Sequence, residues 1–184
     1  DKNFGKDLRE VTLTGEGYFD VMKMKDKPFI IHTSSINIKV LGTVFNVKAY
    51  PEDKHTETSL IRGSVEVTIK NRPNDKIILS PSEKLVVEND AVSKNGKVAE
   101  SKENVSVAAI KTLMSVNKLK YSPADSTVAE TEWIKNRLVF RDESLAELAV
   151  RMERWYDVSI DITDEYLQQK RVTGIFENET IDQA

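Results

Sequence analysis

The residue types that most often carry chemistry are thinly spread in this sequence. Its only histidines are His32, directly after the apolar run Phe29-Ile30-Ile31, and His55, within the polar stretch 51–56. Neither belongs to a spacing such as His-x-x-x-His, which would bring two imidazoles to one metal. His32 therefore reads as strand packing and His55 as loop. Asp20, Asn46 and Glu66 occupy matching positions in similar apolar segments and so imitate the paired carboxylates of a glycosidase. Strand alternation instead makes them outward members of their strands. The chain has no cysteine, which excludes disulfides, thiol nucleophiles and thiolate metal sites. Gly15-Glu16-Gly17 lacks the strand–Gly-x-Gly-x-x-Gly–helix setting of a nucleotide site, and no serine sits in a Gly-x-Ser-x-Gly elbow. Trp133, Trp155 and Tyr156 have faces that stack on sugars. Trp155 and Tyr156 fall on a helical apolar stripe, where packing is the expected role; Trp133 fits an interdomain anchor as well as a ligand platform. The residues predict no catalytic group, no metal and no cofactor. By exclusion the chain is a binding or signalling module rather than an enzyme.

The elements that position these residues are organised around residues 133–162. The run from Val139 to Leu148 aligns with the run from Ile175 to Ala184 at an offset of 36 residues (139 to 175). Each copy passes from an apolar strand end through acidic or amide residues into a capping box, Ser144 with Glu147 and then Thr180 with Gln183. In such a box the hydroxyl accepts a first-turn N–H and the Glu or Gln reaches back to the cap. Leu145, Leu148, Ala149, Met152, Trp155 and Tyr156 then recur at helical spacing, with Glu147, Arg151, Glu153 and Arg154 outward. Val158, Ile160 and Ile162 alternate with polar residues, which predicts a half-buried strand. The unit is thus strand, helix, strand, and a second copy stops about one turn into its helix. The sequence reads as a piece cut from a longer protein.

Residues 8 to 92 read as all-β. Apolar alternation marks strands around 11–13, 18–21, 29–31, 36–40, 45–49, 65–69, 77–79 and 85–87, with turn residues between them. Tyr18-Phe19-Asp20-Val21 and Val44-Phe45-Asn46-Val47 align 26 residues apart (18 to 44), each after a glycine, and Gly63-Ser64-Val65-Glu66-Val67 echoes them. Stacked solenoid coils leave this self-similarity, with glycine at the tight turns; a sandwich is the alternative. Residues 105–110 suggest a strand, 111–119 a strand or short helix, and 122–126 a linker. The fold class expected is mainly β with a small α+β domain: a β-solenoid or sandwich-like domain over 1–128, ambiguous over 93–128, then a truncated βαβ-repeat domain over 129–184.

Of the 184 residues, 39% are hydrophobic, enough for ordinary cores, and the formal net charge is −3. Lysines and acids are interspersed with no basic block, so nucleic acid is not an expected partner. No apolar run reaches the roughly 18 residues of a membrane span.

Gly15-Glu16-Gly17-Tyr18-Phe19-Asp20-Val21, Pro28-Phe29-Ile30-Ile31-His32-Thr33, the run from Lys39 to Tyr50, the run from Leu60 to Val67 and Leu79-Ser80-Pro81-Ser82-Glu83-Lys84 resemble, in order, the core of FecR-type anti-sigma factors. Gly17 stands where that family more often has alanine, and Ser82 where it usually has glycine, so the turn at Pro81-Ser82 must tolerate a side chain. The segment from Trp133 to the end resembles the C-terminal domain of Bacteroidetes members. That domain is itself similar to the short N-terminal (STN) domain of secretins and TonB-dependent transducers.

The resemblance implies the periplasmic portion of a single-pass inner-membrane sensor, with a cytoplasmic region holding an extracytoplasmic-function sigma factor and one membrane helix, both outside this sequence. The implied partner is the signalling domain of an outer-membrane TonB-dependent transporter. Strand addition at a sheet edge is the expected docking mode. Residues 157–163 and 171–176 are the expected edges, with Ser159, Asp161, Thr173, Ile175 and Trp133 as interface residues. A glycan- or envelope-polymer-binding β-solenoid is the alternative, and a β-helical lyase or hydrolase would need an acid/base set that does not stand out.

Overall fold

The computed structural model describes residues 9–89, 114–119, 121 and 128–184. The strand expected over 105–110, the linker over 122–126 and the Asn95-Gly96 turn lie outside the described residues. The chain divides into two compact units, residues 1–119 and 120–184.

Unit 1 is built from two five-stranded sheets. The first joins β1 (Arg9–Thr12), β3 (Phe29–His32), β4 (Ile36–Val40), β7 (Val65–Ile69) and β8 (Arg72–Leu79) in that spatial order. The second runs β10 (Met114–Lys118), β9 (Glu83–Glu88), β6 (His55–Arg62), β5 (Val44–Ala49), β2 (Gly15–Asp20). Alternate residues of both sheets meet in one core, with Ile31, Ile38, Val67 and Leu79 from the first and Phe45, Val47, Leu60, Leu85 and Val87 from the second. Of the two all-β forms expected, this is the sandwich. Solenoid coils stack in parallel, whereas among the described strand pairs of unit 1 only β1–β3 is parallel. The apparent repeat comes from strands that pass from one sheet to the other and each turn an apolar face to the same interior.

β6 is a strand that sequence alternation misses, and it sits in the middle of the second sheet. Thr56 and Thr58 are fully buried there, so positions that look polar are core-facing. His55, expected in a loop, is the exposed first residue of this strand. Asn89 satisfies the polar end of the layer. Its side-chain oxygen accepts from Thr56 Oγ1 and Ser35 Oγ, each at 2.7 Å, and its amide donates to the Asp53 carbonyl at 2.8 Å.

Two turn positions carry unusual backbone. Gly63 has φ +99°, and an added Cβ would lie 2.9 Å from the Gly42 carbonyl oxygen, so both conformation and space exclude a side chain. Ser82 has φ 68°, and its N–H donates to the Leu60 carbonyl at 2.9 Å. The turn therefore does accept a side chain, in a left-handed geometry that costs a non-glycine residue about 1–2 kcal/mol. Ser82→Gly is expected to stabilise unit 1 by about 0.5–1 kcal/mol after the larger unfolded-state entropy of glycine is set against that relief. A urea midpoint at or below that of the parent protein would contradict this. Beside the turn, the Ser80 N–H and Lys118 hold the Glu83 carboxyl below the usual carboxylate range.

Unit 2 packs helix α1 (Leu145–Tyr156) on the antiparallel pair β11 (Arg137–Ser144) and β12 (Arg171–Glu177). A 3₁₀ helix (Ala129–Lys135) precedes β11, and the short α2 (Glu165–Gln168) precedes β12. Leu138, Phe140 and Leu148 form the core, with Leu145, Met152, Trp155, Val172 and Phe176 packed on it. The rings of Phe140 and Phe176 lie 5.1 Å apart. Gly174 faces Phe140 so closely that a Cβ would come within 2.7 Å of the ring. The Ser144–Glu147 capping box is complete. Arg151 and Glu153, expected outward, turn inward to bind backbone. Arg151 donates to the Glu143 carboxylate at 2.5 Å and the Val139 carbonyl at 2.9 Å, and Glu153 accepts the Ile160 N–H at 2.8 Å.

The sequence repeat is a repeat of backbone geometry. Asp142 (φ 51°) and Asn178 (φ 56°) are both left-handed and stand 36 residues apart (178 − 142), each two residues before its cap. The Gln183 side-chain oxygen accepts the Thr180 N–H at 3.0 Å, as Glu147 accepts that of Ser144 at 3.0 Å. One helical turn follows, with the Ala184 N–H on the Thr180 carbonyl at 3.1 Å.

The expected strand at 158–162 is corrected. These residues keep the alternation, with Val158, Ile160 and Ile162 half-buried and Ser159 and Asp161 exposed, but they join no ladder among the described residues. A strand exists only through its neighbour's hydrogen bonds. Here the Val158 and Ile160 N–H groups are taken by Glu153, and the Ile162 carbonyl by the Gln168 amide.

Candidate protein interface

β12 lies at the margin of a two-stranded sheet, so one of its edges faces away from β11. Antiparallel pairs alternate between hydrogen-bonded and open positions. The Asn178 N–H donates to the Asn136 carbonyl, and the Leu145 N–H to that of Lys170. Stepping by two from both ends through the register, Phe176, Gly174 and Val172 turn their backbone groups toward β11. Arg171, Thr173, Ile175 and Glu177 therefore turn theirs outward. Their side chains are exposed as well, with Ile175 47% accessible.

The partner strand β11 carries a bulge opposite the middle of β12. Register shifts between Phe140 and Glu143, where Asp142 is left-handed. The Arg171 Nε donates to Asp142 Oδ1 at 2.7 Å, and its guanidinium also reaches the Asp142 carbonyl. Thr173 Oγ1 accepts the Asp142 N–H at 2.9 Å, so its hydroxyl is already committed within the sheet. At the other end Arg137 Nε lies 3.6 Å from a Glu177 carboxylate oxygen, and Arg137 also meets Glu132 at 2.5 Å. Glu132, 2% exposed, is the most buried charge of unit 2 among the described residues; it also takes Lys135 at 3.1 Å, and it ties the 3₁₀ helix to β11. Nothing in local patterning marks Glu132, which stands between Thr131 and Trp133.

Of the five expected interface residues, Thr173 and Ile175 share the outer positions of β12. Ser159 and Asp161 are exposed on the extended segment after α1, and Trp133 is half-buried in the 3₁₀ helix. Trp155 packs on the core, and burial pushes the Tyr156 phenol up, with Glu179 adding to the shift.

The three polar positions matched in the repeat do not form a site. Asp20 is exposed and pairs with Arg62 at 3.5 Å, while Glu66 is half-buried and meets Lys76 at 3.3 Å. Asn46 lies on the face away from the core that Phe45 and Val47 enter, but it is buried there, and its amide donates to Glu16 at 2.7 Å. His32 is half-buried, bonded to Asn37 at 2.9 Å and facing Glu10 at 3.4 Å. Among the described residues no group of three or more His, Asp or Glu is placed to hold a metal, and no helix is long and apolar enough to cross a membrane.

Residues 1–66 match the family model described as FecR protein, and residues 137–184 match that described as FecR, C-terminal. No curated protein matches the chain. Two crystal structures of a candidate anti-sigma factor from Parabacteroides distasonis ATCC 8503 are similar to it, with TM-scores of 0.71 and 0.69. Their sequence identities are 26% and 27%, over 97% of this chain and 71% and 70% of theirs.

Proposed function

Because the chain belongs to the FecR-type anti-sigma factors, whose role is to regulate a sigma factor, we propose that it is the periplasmic portion of such a regulator and receives the signalling domain of a TonB-dependent outer-membrane transporter. On this reading 1–128 is the FecR-like β domain and 129–184 the STN-like domain. The sigma factor, of the extracytoplasmic-function class, binds a region outside this sequence. The edge of β12 that no described strand covers carries the proposal. Its outward backbone groups give affinity to an added strand, and Ile175 gives that strand an apolar side chain to read. Docking regulates only by binding the resting and signalling forms unequally.

The test is titration with the signalling domain of the cognate transporter. Ile175→Pro removes an outward N–H while sparing the ladder to β11, and is expected to weaken binding at least about tenfold, the effect of roughly one good hydrogen bond. Binding that is unaltered by Ile175→Pro, in a variant that melts like the parent protein, would move the contact off this edge. No binding by the parent protein would end the docking proposal.

A further inference from the structure

One end of unit 1 presents apolar side chains that its own packing does not use. Between β2 and β3 the chain reads Val21-Met22-Lys23-Met24-Lys25-Asp26-Lys27-Pro28, with Met22 70% and Met24 37% exposed. Leu41, in the turn after β4, is 43% exposed and adjacent, since the Met24 N–H donates to its carbonyl at 2.7 Å.

This loop is held, not loose. Arg9, buried at the start of β1, donates from Nε to the Lys27 carbonyl at 3.0 Å and from Nη1 to the Met22 carbonyl at 3.2 Å. The Lys23 backbone lies so close to Gly42 that a Cβ there would come within 2.5 Å of the Lys23 Cα. A buried guanidinium that spends its donors on loop carbonyls fixes a loop whose methionines point to water. The surrounding charge is positive. Lys23, Lys25, Lys27 and Arg62 stand at this end against Asp20 and Asp26, in a chain whose formal net charge is −3.

We propose that this end of unit 1 docks on an anionic phospholipid surface, with Met22, Met24 and Leu41 entering the interface and Lys23 and Lys25 meeting the headgroups. Flexible thioethers suit a disordered acyl boundary, and lysines beside them suit lipid phosphate. The proposal stands apart from transporter docking, which uses unit 2.

The chain lacks cysteine, so Met22→Cys carries a single environment-sensitive dye. Asn74→Cys, in the first residues of β8 that pair with the far end of β7, labels the opposite end of the same sheet as a control. With phosphatidylglycerol vesicles at low salt, the dye at position 22 is expected to shift to the blue and the dye at 74 to stay put. Phosphatidylcholine vesicles should leave both unchanged. Because each lysine near such a surface contributes about fivefold, Lys23→Gln with Lys25→Gln should lower co-sedimentation roughly 20- to 30-fold. Met22→Ser with Met24→Ser should abolish the apolar insertion at unchanged thermal stability. No shift on phosphatidylglycerol, equal shifts at 22 and 74, or binding indifferent to both double variants would each overturn the proposal.

Discussion

Phe45→Ala is expected to destabilise unit 1 by about 4 kcal/mol, the upper part of the range for truncating a buried aromatic. Phe45 is fully buried in β5, flanked by β2 and β6, and its ring stacks on Phe19 with centroids 5.3 Å apart. Phe19 in turn meets Phe29 of the opposite sheet at 5.9 Å, so this one ring lies in the chain of contacts that joins the two layers. Strands on both sides hold β5 in place, and the void cannot close by moving it inward. The urea midpoint followed by far-UV circular dichroism should fall by about 2 M, for a slope of roughly 2 kcal/mol/M. A fall below about 0.5 M would mean that the layers collapse into the space and that Phe45 is not the element joining them.

The second large effect belongs to Glu132. Glu132→Ala is expected to cost unit 2 about 3 kcal/mol, because removing one partner of a buried pair leaves the other charge without compensation. Arg137, four-fifths covered, would lose its carboxylate at 2.5 Å and face Glu177 at 3.6 Å. Lys135, 57% exposed, loses little because water replaces its contact. The value sits at the low end for buried pairs for that reason. Both tryptophans, Trp133 and Trp155, lie in unit 2, so their fluorescence reports its unfolding. Glu132→Gln retains the shape and one acceptor and should recover part of the loss. If Glu132→Ala unfolds at the parent midpoint, the 3₁₀ helix is not anchored by this carboxylate. Since Arg137 opens β11, slackening here also disturbs the strand that braces the β12 edge.

The two cores differ in how openly the sequence states them. In unit 2 the apolar stripe of α1 and its capping box are local signals, decided within one or two turns of chain, and both stand in the structure. The same holds for Val65, Val67 and Ile69, whose alternation needs only a buried face. The echo at 175–184 keeps the Thr180–Gln183 contact, but there the Gln183 N–H goes to the Thr180 carbonyl rather than to its hydroxyl. What the sequence by itself determined is therefore the β-rich character and the amphipathic helix, whereas residues 72–75, which look like a turn, open β8. Whether β strands lie in coils or in two layers was decided by tertiary pairing, because alternation names a buried face but not the neighbour beside it. β6 shows this most sharply: Thr56 and Thr58 look like loop residues until β5 and β9 flank them. Residues 158–162 show the converse, a strand pattern without a strand, since no described neighbour supplies the ladder. Glu132 and Asn89 were invisible for the same reason. A charge or amide becomes a buried anchor only when partners distant in sequence or across a turn surround it, and spacing along the chain carries no record of that enclosure.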